Sequence, residues 1–273
     1  MRITRHKLVR DEGPAIPFLE SPNVGGDLKA QYLVMHYTAA SSAAGSVQWF
    51  LNPAAKACAH LVIARDGSIT QMAPFNGVAW HAGESSWMGL REMNQWSIGI
   101  ELENAGKLAR VGGKWKTWYG ETIPDGQVVE AVHKNESISA GWETYTQPQI
   151  EVSAEVAALV VSSYDLRDVI GHEDIAPGRK TDPGPAFPMS SFRAKVIGRA
   201  SVTPPPLVTT TVVNIRSGPG TEFSTIPGSP LPHATSVVPI ETSGLWVRVD
   251  VRVVVNGVND AMGWVHSGLL RQG

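Results

Sequence analysis

The sequence predicts two domains of different class, a mixed α/β domain over residues 1–198 and a small all-β domain over residues 207–273. A proline-rich linker is predicted between them at residues 199–206, because consecutive prolines can continue neither a helix nor a central strand. Before the linker, strand-like and helix-like patterns alternate along the chain. After it, only short β-branched runs occur, separated by glycine, proline and serine.

The composition excludes several classes of function. A net charge of −2 offers no basic surface for nucleic acid. No apolar run approaches the roughly 20 residues that a membrane helix needs, so we expect no integral membrane association. The N-terminal residues lack the apolar stretch of a classical signal peptide, so we expect a cytoplasmic protein or one exported by a non-classical route. The single cysteine, Cys58, excludes internal disulfides and is interpreted as structural.

The first elements of the large domain follow from hydrophobic patterning. Residues 32–37 are almost wholly apolar, which predicts a strand buried on both faces. Residues 41–51 predict a helix that stops before Asn52-Pro53. Residues 60–64 and 69–72 flank an Asp-Gly pair, which predicts a β-hairpin.

Two later elements carry clearer signals. Residues 97–103 alternate, so that Glu101 lies on the face opposite the apolar side chains of Ile98, Ile100 and Leu102. Thr146 and Gln149 form a capping-box pattern, and the apolar residues that follow recur at helical spacing. This pattern predicts a helix that ends near Asp165.

Two histidines and an aspartate occur where a metal could bind. His36 ends the buried strand, and His172 follows a second apolar strand at residues 169–171. Asp182 lies ten residues further on, in a loop dense in charge. Two imidazoles, one carboxylate and a fourth position for water are typical of catalytic zinc. A histidine at a strand end is more often structural than a ligand, so the pattern alone leaves both interpretations open.

Three segments carry a resemblance to a known family: 33–39 (LVMHYTA), 97–104 (SIGIELEN) and 171–185 (GHEDIAPGRKTDPGP). They resemble the zinc-dependent N-acetylmuramoyl-L-alanine amidases, the type-2 amidase family to which peptidoglycan recognition proteins are related. The resemblance covers about residues 28–195. It implies a mixed central sheet flanked by helices and a groove floored by one zinc ion per chain. It also implies hydrolysis of the amide between N-acetylmuramic acid and L-alanine in peptidoglycan or muropeptides.

Residue by residue, the resemblance implies that His36, His172 and Asp182 are the zinc ligands. It implies that Glu101 is the general base and that Lys180 stabilises the oxyanion. The strand pattern agrees, because Glu101 points away from the apolar face. Lys180 is two residues from a ligand and is therefore tethered near the developing charge.

Two further positions refine the comparison. Some branches of the family place a catalytic tyrosine directly before the histidine that aligns with His60, but here that residue is Ala59. The chain therefore fits the branch that uses a glutamate, and His60 is interpreted as a packing or supporting residue, not a fourth ligand. Trp80 and His81 match a family segment and either bind substrate at the groove border or pack within a loop.

Two regions go beyond the minimal family pattern. Residues 108–145 are long and rich in tryptophan, and form either a groove wall or a surface insertion. Residues 213–220, 246–249 and 263–265 resemble bacterial SH3-like domains, which predicts a small barrel. Such a barrel would bind peptidoglycan, or else serve as a stabilising or protein-binding appendage.

The function that we predict is zinc-dependent N-acetylmuramoyl-L-alanine amidase activity on peptidoglycan. The alternative is a non-catalytic peptidoglycan-binding or sensing protein, which the complete ligand set disfavours. Zinc-dependent hydrolysis of a different amide is a third interpretation.

Overall fold

The computed structural model describes residues 1–197, 207–251, 253–258 and 261–272. The predicted linker at 199–206 lies outside the described residues. The chain divides into two compact units, one comprising Met1–Val129 with Gly141–Gly198 and the other Glu130–Ala140 with Arg199–Gly273. The second unit thus includes an eleven-residue segment that comes from the middle of the chain.

The helices and strands alternate through the first unit and give way to strands in the second. The helices are α1 Ala43–Leu51, α2 Gln147–Tyr164, α3 His172–Ile175 and α4 Met189–Ile197. The strands are β1 Arg2–Thr4, β2 Lys7–Val9, β3 Val24–Asp27, β4 Tyr32–Tyr37, β5 Leu61–Ile63, β6 Ile69–Gln71, β7 Gly77–Ala79, β8 Ser86–Trp87, β9 Leu90–Arg91, β10 Ser97–Leu102, β11 Lys107–Val111, β12 Lys114–Lys116, β13 Thr122–Ile123, β14 Val128–Val132, β15 Ser139–Glu143, β16 Asp168–Gly171, β17 Leu207–Thr209, β18 Ser236–Ser243, β19 Trp246–Val251, β20 Ala261–His266 and β21 Leu270–Gln272.

A five-stranded mixed sheet forms the centre of the first unit. Its strand order is β16-β4-β10-β5-β6. The first four strands are parallel to one another, and β6 returns antiparallel to β5 through the predicted hairpin. This sheet confirms the predicted mixed α/β class for the first unit.

The two faces of this sheet have different neighbours. One face carries the large apolar side chains of β4 and β10, which pack with helices α2 and α4 in the main core. The opposite face carries a smaller cluster that includes Val34, Ile170, Ile175 and Met93. Because helices cover the first face, the second is the one on which polar groups at the strand ends can meet.

Helix α2 is tied to this sheet by its first turn. Thr146 caps it, its hydroxyl accepting from the Gln149 backbone N–H, and Asp165 ends it as predicted. Only half of the predicted capping box forms. The Gln149 side chain instead donates to the carbonyls of Ile63, the last residue of β5, and Glu103, the residue after β10. Burial of Gln149 explains the difference, because its amide is needed to satisfy carbonyls inside the protein.

The tryptophan-rich region forms a second sheet with the strand order β13-β12-β11-β15-β14. Trp115 and Trp142 are buried, and the Trp115 ring packs so closely on Gly141 that a Cβ there would lie 2.6 Å from it. Trp118 is 76% exposed, and its indole N–H donates to the carbonyl of Ala39, three residues after His36. Two of these tryptophans therefore build a core, while the third lies on the surface.

The second unit is built mainly of strands. Its sheet has the order β20-β19-β18-β17-β21, all antiparallel, around an aliphatic core that includes Ile215, Leu231, Val249 and Val265. The β-branched run at residues 208–215 forms only a short strand, since β17 ends at Thr209 and Val213 makes an isolated bridge with Leu231. Across the described part of the chain, no helix combines the length and apolarity required to span a bilayer.

Candidate metal centre

Neighbouring parallel strands bring the candidate residues to one edge of the central sheet. In the register of β4 and β10, His36 lies directly opposite Glu101. In the register of β4 and β16, Met35 lies opposite Gly171, so His172 follows level with His36. Side chains at paired positions point to the same face of a sheet. The carboxyl ends of three adjacent strands therefore bring these groups together.

Three potential ligand atoms converge at this edge. His36 Nδ1, His172 Nδ1 and Asp182 Oδ2 are each 2.9 Å from the other two. The side chains are buried, with exposures of 1%, 2% and 5%. Two imidazole nitrogens and a carboxylate oxygen facing one point are the donor set of a catalytic zinc site, so the residues present fit this metal.

The charge states at this point suit a cation. Burial and the neighbouring His172 lower the pKa of His36 to about 4, so its imidazole is neutral at neutral pH. Burial opposes ionisation of Asp182, but its contacts with His172 and His36 outweigh burial and hold its pKa below the usual range. Metal binding requires a neutral imidazole and an ionised carboxylate.

The loop that carries Asp182 is fixed from several sides. The hydroxyls of Tyr37 and Thr181 are 2.7 Å apart, and the Tyr145 hydroxyl donates to the carbonyl of Pro183 at 2.7 Å. Gly184, at φ 74°, lies against the Trp142 ring, where a Cβ would be only 2.8 Å away. The conformation of this loop therefore depends on residues from β4, β15 and the loop itself.

Glu101 is the unsatisfied group of the site. Its Oε2 atom is buried and has no hydrogen-bond partner among the described residues. Burial raises the pKa of Glu101 well above its usual value. The charge of Asp182 raises it further, and Lys180 lowers it. A buried carboxylate oxygen without a partner is costly and is therefore a sign of function.

Lys180 lies in the same loop as Asp182. Its backbone N–H donates to the Ala176 carbonyl at 3.0 Å, and its side chain is partly exposed. Its charge acts on both Glu101 and His36. The structure thus brings His36, His172, Asp182 and Glu101 to one edge of the sheet, with Lys180 two residues from Asp182 in the same loop.

Trp80 and His81 diverge although they are consecutive. Trp80 is 37% exposed and lines an open cleft of about 960 Å³ together with Arg91 and Arg179. His81 turns toward the sheet, and its Nδ1 lies 2.9 Å from His36 Nε2. Burial, and then His36 and His60, lower the pKa of His81 well below its usual value.

His60 lies apart from the converging donors. Its Nδ1 accepts from the Gly99 N–H at 3.0 Å, and its Nε2 donates to the Gly77 carbonyl at 2.9 Å. Both ring nitrogens are thus occupied, which leaves neither for a metal. Cys58 is also buried, and burial raises the pKa of its thiol to about 12, which leaves it unreactive at neutral pH.

Sequence reasoning missed Asn94, whose side-chain oxygen accepts from the N–H groups of His81 and Ala82 at 3.0 and 2.7 Å. It also missed Tyr37. For the close approach of His81 to the sheet one signal was available, since Gly99 interrupts a buried strand on the same face as Glu101. A strand glycine of this kind often marks a close approach.

A family model now decides the relationship. The model described as N-acetylmuramoyl-L-alanine amidase matches residues 26–185, more than half of the chain. The chain belongs to the N-acetylmuramoyl-L-alanine amidase family. All the candidate metal ligands and catalytic residues lie within the matched segment.

Curated members of this amidase family are similar in sequence. The chain is 36% identical over 140 residues to the 1,6-anhydro-N-acetylmuramyl-L-alanine amidase AmpD of Escherichia coli K12, covering 50% of this chain and 57% of that one. It is 33% identical over 132 residues to the N-acetylmuramoyl-L-alanine amidase AmiD of the same organism, covering 48% and 38%. The chain thus spans about half the length of the curated relatives it matches.

A solved structure supports the same fold for the amidase part. The crystal structure of a selenomethionine derivative of AmpD aligns with a TM-score of 0.51 and 27% identity, covering 72% of this chain and 99% of that one. The mixed α/β fold of the first unit is therefore that of amidase-family structures.

Proposed function

We propose that the chain is a zinc-dependent amidase that cleaves the bond between N-acetylmuramic acid and L-alanine in peptidoglycan or its muropeptide fragments. The observation that carries this proposal is the convergence of two imidazole nitrogens and one carboxylate oxygen beside an unpartnered carboxylate. Membership of the amidase family supports the choice of bond. Similarity to AmpD, a 1,6-anhydro-N-acetylmuramyl-L-alanine amidase, favours 1,6-anhydro-muropeptides as one substrate class to be tested.

The proposed ligands are the Nδ1 atoms of His36 and His172 and the Oδ2 atom of Asp182. A zinc ion at this point would supply Lewis acidity at the scissile carbonyl and lower the pKa of a water molecule. The surrounding burial keeps bulk water from the three donor atoms. It also strengthens every electrostatic interaction within the site.

Glu101 is the proposed general base. Its Oε2 atom is free to take a proton from the attacking water, because none of the described residues occupies it. A raised pKa brings the carboxyl closer to the operating pH, where a group both accepts and returns a proton efficiently. The same oxygen can then deliver the proton to the amine of L-alanine as the bond breaks.

Lys180 is the proposed partner of the developing negative charge. Its charge influences the pKa of both Glu101 and His36, which supports an electrostatic role for Lys180 at this edge of the sheet. A preorganised cation at such a point stabilises the tetrahedral oxyanion without reorganisation.

For residues 207–273, which lie within the second unit, we propose an SH3-like domain that tethers the enzyme to peptidoglycan, and for residues 1–198 an amidase domain. The antiparallel five-stranded sheet and its aliphatic core support a small barrel. The Gly218-Pro219-Gly220 turn supports the same assignment.

The test of the amidase proposal is product analysis by mass spectrometry. The purified chain is incubated with sacculi, muropeptides and 1,6-anhydro-muropeptides, with and without a zinc chelator. We expect free peptides with a new L-alanine N-terminus, and none after chelation. A different new terminus would indicate another amide, and binding without any cleavage would indicate a non-catalytic peptidoglycan-binding protein.

A further inference from the structure

We propose that the turn formed by His81 and Ala82 fixes the tautomers of both imidazole ligands, so that His81 is a positioning residue of the metal centre. The inference rests on the proposed metal site. In each ligand ring Nε2 lies on the side away from the proposed metal, and the Nε2 atoms of His36 and His172 both face this turn.

The hydrogen-bond partners of His81 determine the tautomer of His36. His81 Nε2 is 3.1 Å from the Ser97 carbonyl, which can only accept a hydrogen bond. The Ser97 hydroxyl is 3.4 Å away and already donates to the Met93 carbonyl, so it too can only accept from His81. Nε2 of neutral His81 therefore carries the hydrogen, and its Nδ1 carries a lone pair. That lone pair accepts from His36 Nε2 at 2.9 Å, which leaves His36 Nδ1 free for the metal.

The Ala82 carbonyl determines the tautomer of His172. Its Nε2 donates to the Ala82 carbonyl at 3.0 Å, so its hydrogen is also on Nε2. Its Nδ1 is then the nitrogen with a lone pair, and this is the atom that faces His36 and Asp182. Two consecutive residues thus give both ligand rings the same tautomer, one through a side chain and one through a carbonyl.

The turn itself is held in place by groups outside the metal centre. Asn94 accepts from both of its backbone N–H groups, and Arg179 donates to the Ala82 carbonyl at 2.7 Å. The His81 ring lies directly on Gly99 of β10. A Cβ at that position would be 2.5 Å from Cγ and 2.7 Å from Nδ1 of the ring. A glycine is therefore required for His81 to reach His36.

This arrangement predicts which substitutions weaken metal binding. Partners that orient ligand histidines typically contribute 10–100-fold to metal affinity. We expect His81→Leu to weaken zinc binding by roughly this factor. His81→Asn should retain most of the affinity, because its amide oxygen is as far along the side chain as Nδ1 and can accept from His36. Gly99→Ala should reproduce the loss with every polar group intact.

Two measurements on the full chain test the inference. Zinc dissociation constants are obtained by competition with a chromophoric chelator. The tautomer of His36 is read in the metal-free protein from long-range proton–nitrogen correlations of the histidine rings. We expect a hydrogen on Nε2 in the wild type and in His81→Asn, and a mixture of tautomers in His81→Leu and Gly99→Ala.

Each outcome bears on one proposal at a time. Equal zinc affinity in His81→Leu and the wild type would overturn the inference. So would an equal loss in His81→Leu and His81→Asn, which would indicate that a hydrogen-bond acceptor at this position does not determine zinc affinity. A wild type with His36 protonated on Nδ1 would also overturn it, with no metal needed for that result. Suppose that His81→Leu loses zinc affinity while the wild type binds zinc but cleaves no amide. The loss of affinity would then support the inference, and the absence of cleavage would refute the proposed amidase activity.

Discussion

Glu101 and Glu103 lie two residues apart at the end of one strand, yet their carboxylates differ in environment. Glu103 accepts a hydrogen bond from the Arg65 backbone N–H at 3.2 Å. The Oε2 atom of Glu101 has no such partner among the described residues and lies opposite His36 in the register. This contrast supports the proposed assignment of Glu101, and not Glu103, as the general base, and it provides a matched pair for experiment.

We predict that Glu101→Gln binds zinc as tightly as the wild type but loses roughly 10²–10⁴-fold in turnover, because an amide cannot accept the proton. Glu103→Gln is the control and should keep its turnover. The measurements are the zinc content of each variant and its rate of muropeptide hydrolysis. Turnover that falls only in Glu103→Gln would contradict the assignment.

At the residue scale, the sequence was most informative where a residue type has a single common use. Strand ends placed His36 and His172 and alternation placed Glu101, whereas the proposed roles of these residues and of Asp182 came from the family resemblance. The contact between His81 and His36 was not predictable, because it depends on a turn packing against a strand that begins 16 residues later. Gly99 indicates that a group approaches this face of the strand closely, but no local pattern identifies that group as His81.

His60 joins two elements of the first unit. It links β10 to β7 by accepting from the Gly99 N–H and donating to the Gly77 carbonyl. This bridge requires a neutral ring with its hydrogen on Nε2. Burial lowers the pKa of His60 to about 4, compared with 6.5 in an unfolded chain.

We therefore predict that acid destabilises the fold through His60. The unfolded state binds this proton more readily than the folded state, so the free energy of unfolding is highest above about pH 6.5 and falls as the pH drops toward 4. The loss is about 3 kcal/mol across that window, at roughly 1.4 kcal/mol per tenfold change in proton affinity. Urea unfolding at several pH values should show a shallower acid dependence in His60→Gln than in the wild type. Identical slopes in the two proteins would contradict this prediction.

At the element scale, the central sheet was easier to predict than the second sheet. The apolar run that became β4 and the amphipathic pattern that became α2 both follow the periodicity of a buried element. Strands β11 to β13 are short and mostly exposed, and two buried tryptophans hold them in place. Such strands are specified by a few tertiary contacts, which leave little periodic signal.

For the whole molecule, we predict that deleting the residues after about 203 leaves hydrolysis of soluble muropeptides unchanged. Every proposed catalytic residue lies at or before Asp182. Digestion of intact sacculi should weaken, because a tether raises the local enzyme concentration at an insoluble substrate. Rates on both substrates and a pull-down of sacculi with residues 207–273 provide the test. An equal loss on both substrates would show that the second unit stabilises the amidase fold.

The division of the chain shows how far sequence reasoning reaches at this scale. Proline enrichment predicts a boundary near residue 199, since prolines act through local backbone geometry. Nothing local indicates that Glu130–Ala140 belongs with the second unit. Within that unit Val132 packs on the aliphatic core, a contact between residues far apart in the chain.

The two imidazoles at the edge of the central sheet are 136 residues apart in the chain. A single ion held between them would close a very long loop, and the unfolded chain offers no equivalent site. Ligand binding of this kind stabilises the folded population in proportion to the logarithm of ligand concentration. The zinc concentration would then determine the resistance of the protein to proteolysis as well as its rate of amide hydrolysis. In a cell with little zinc, the protein would be degraded as well as inactive, because more of it would be unfolded.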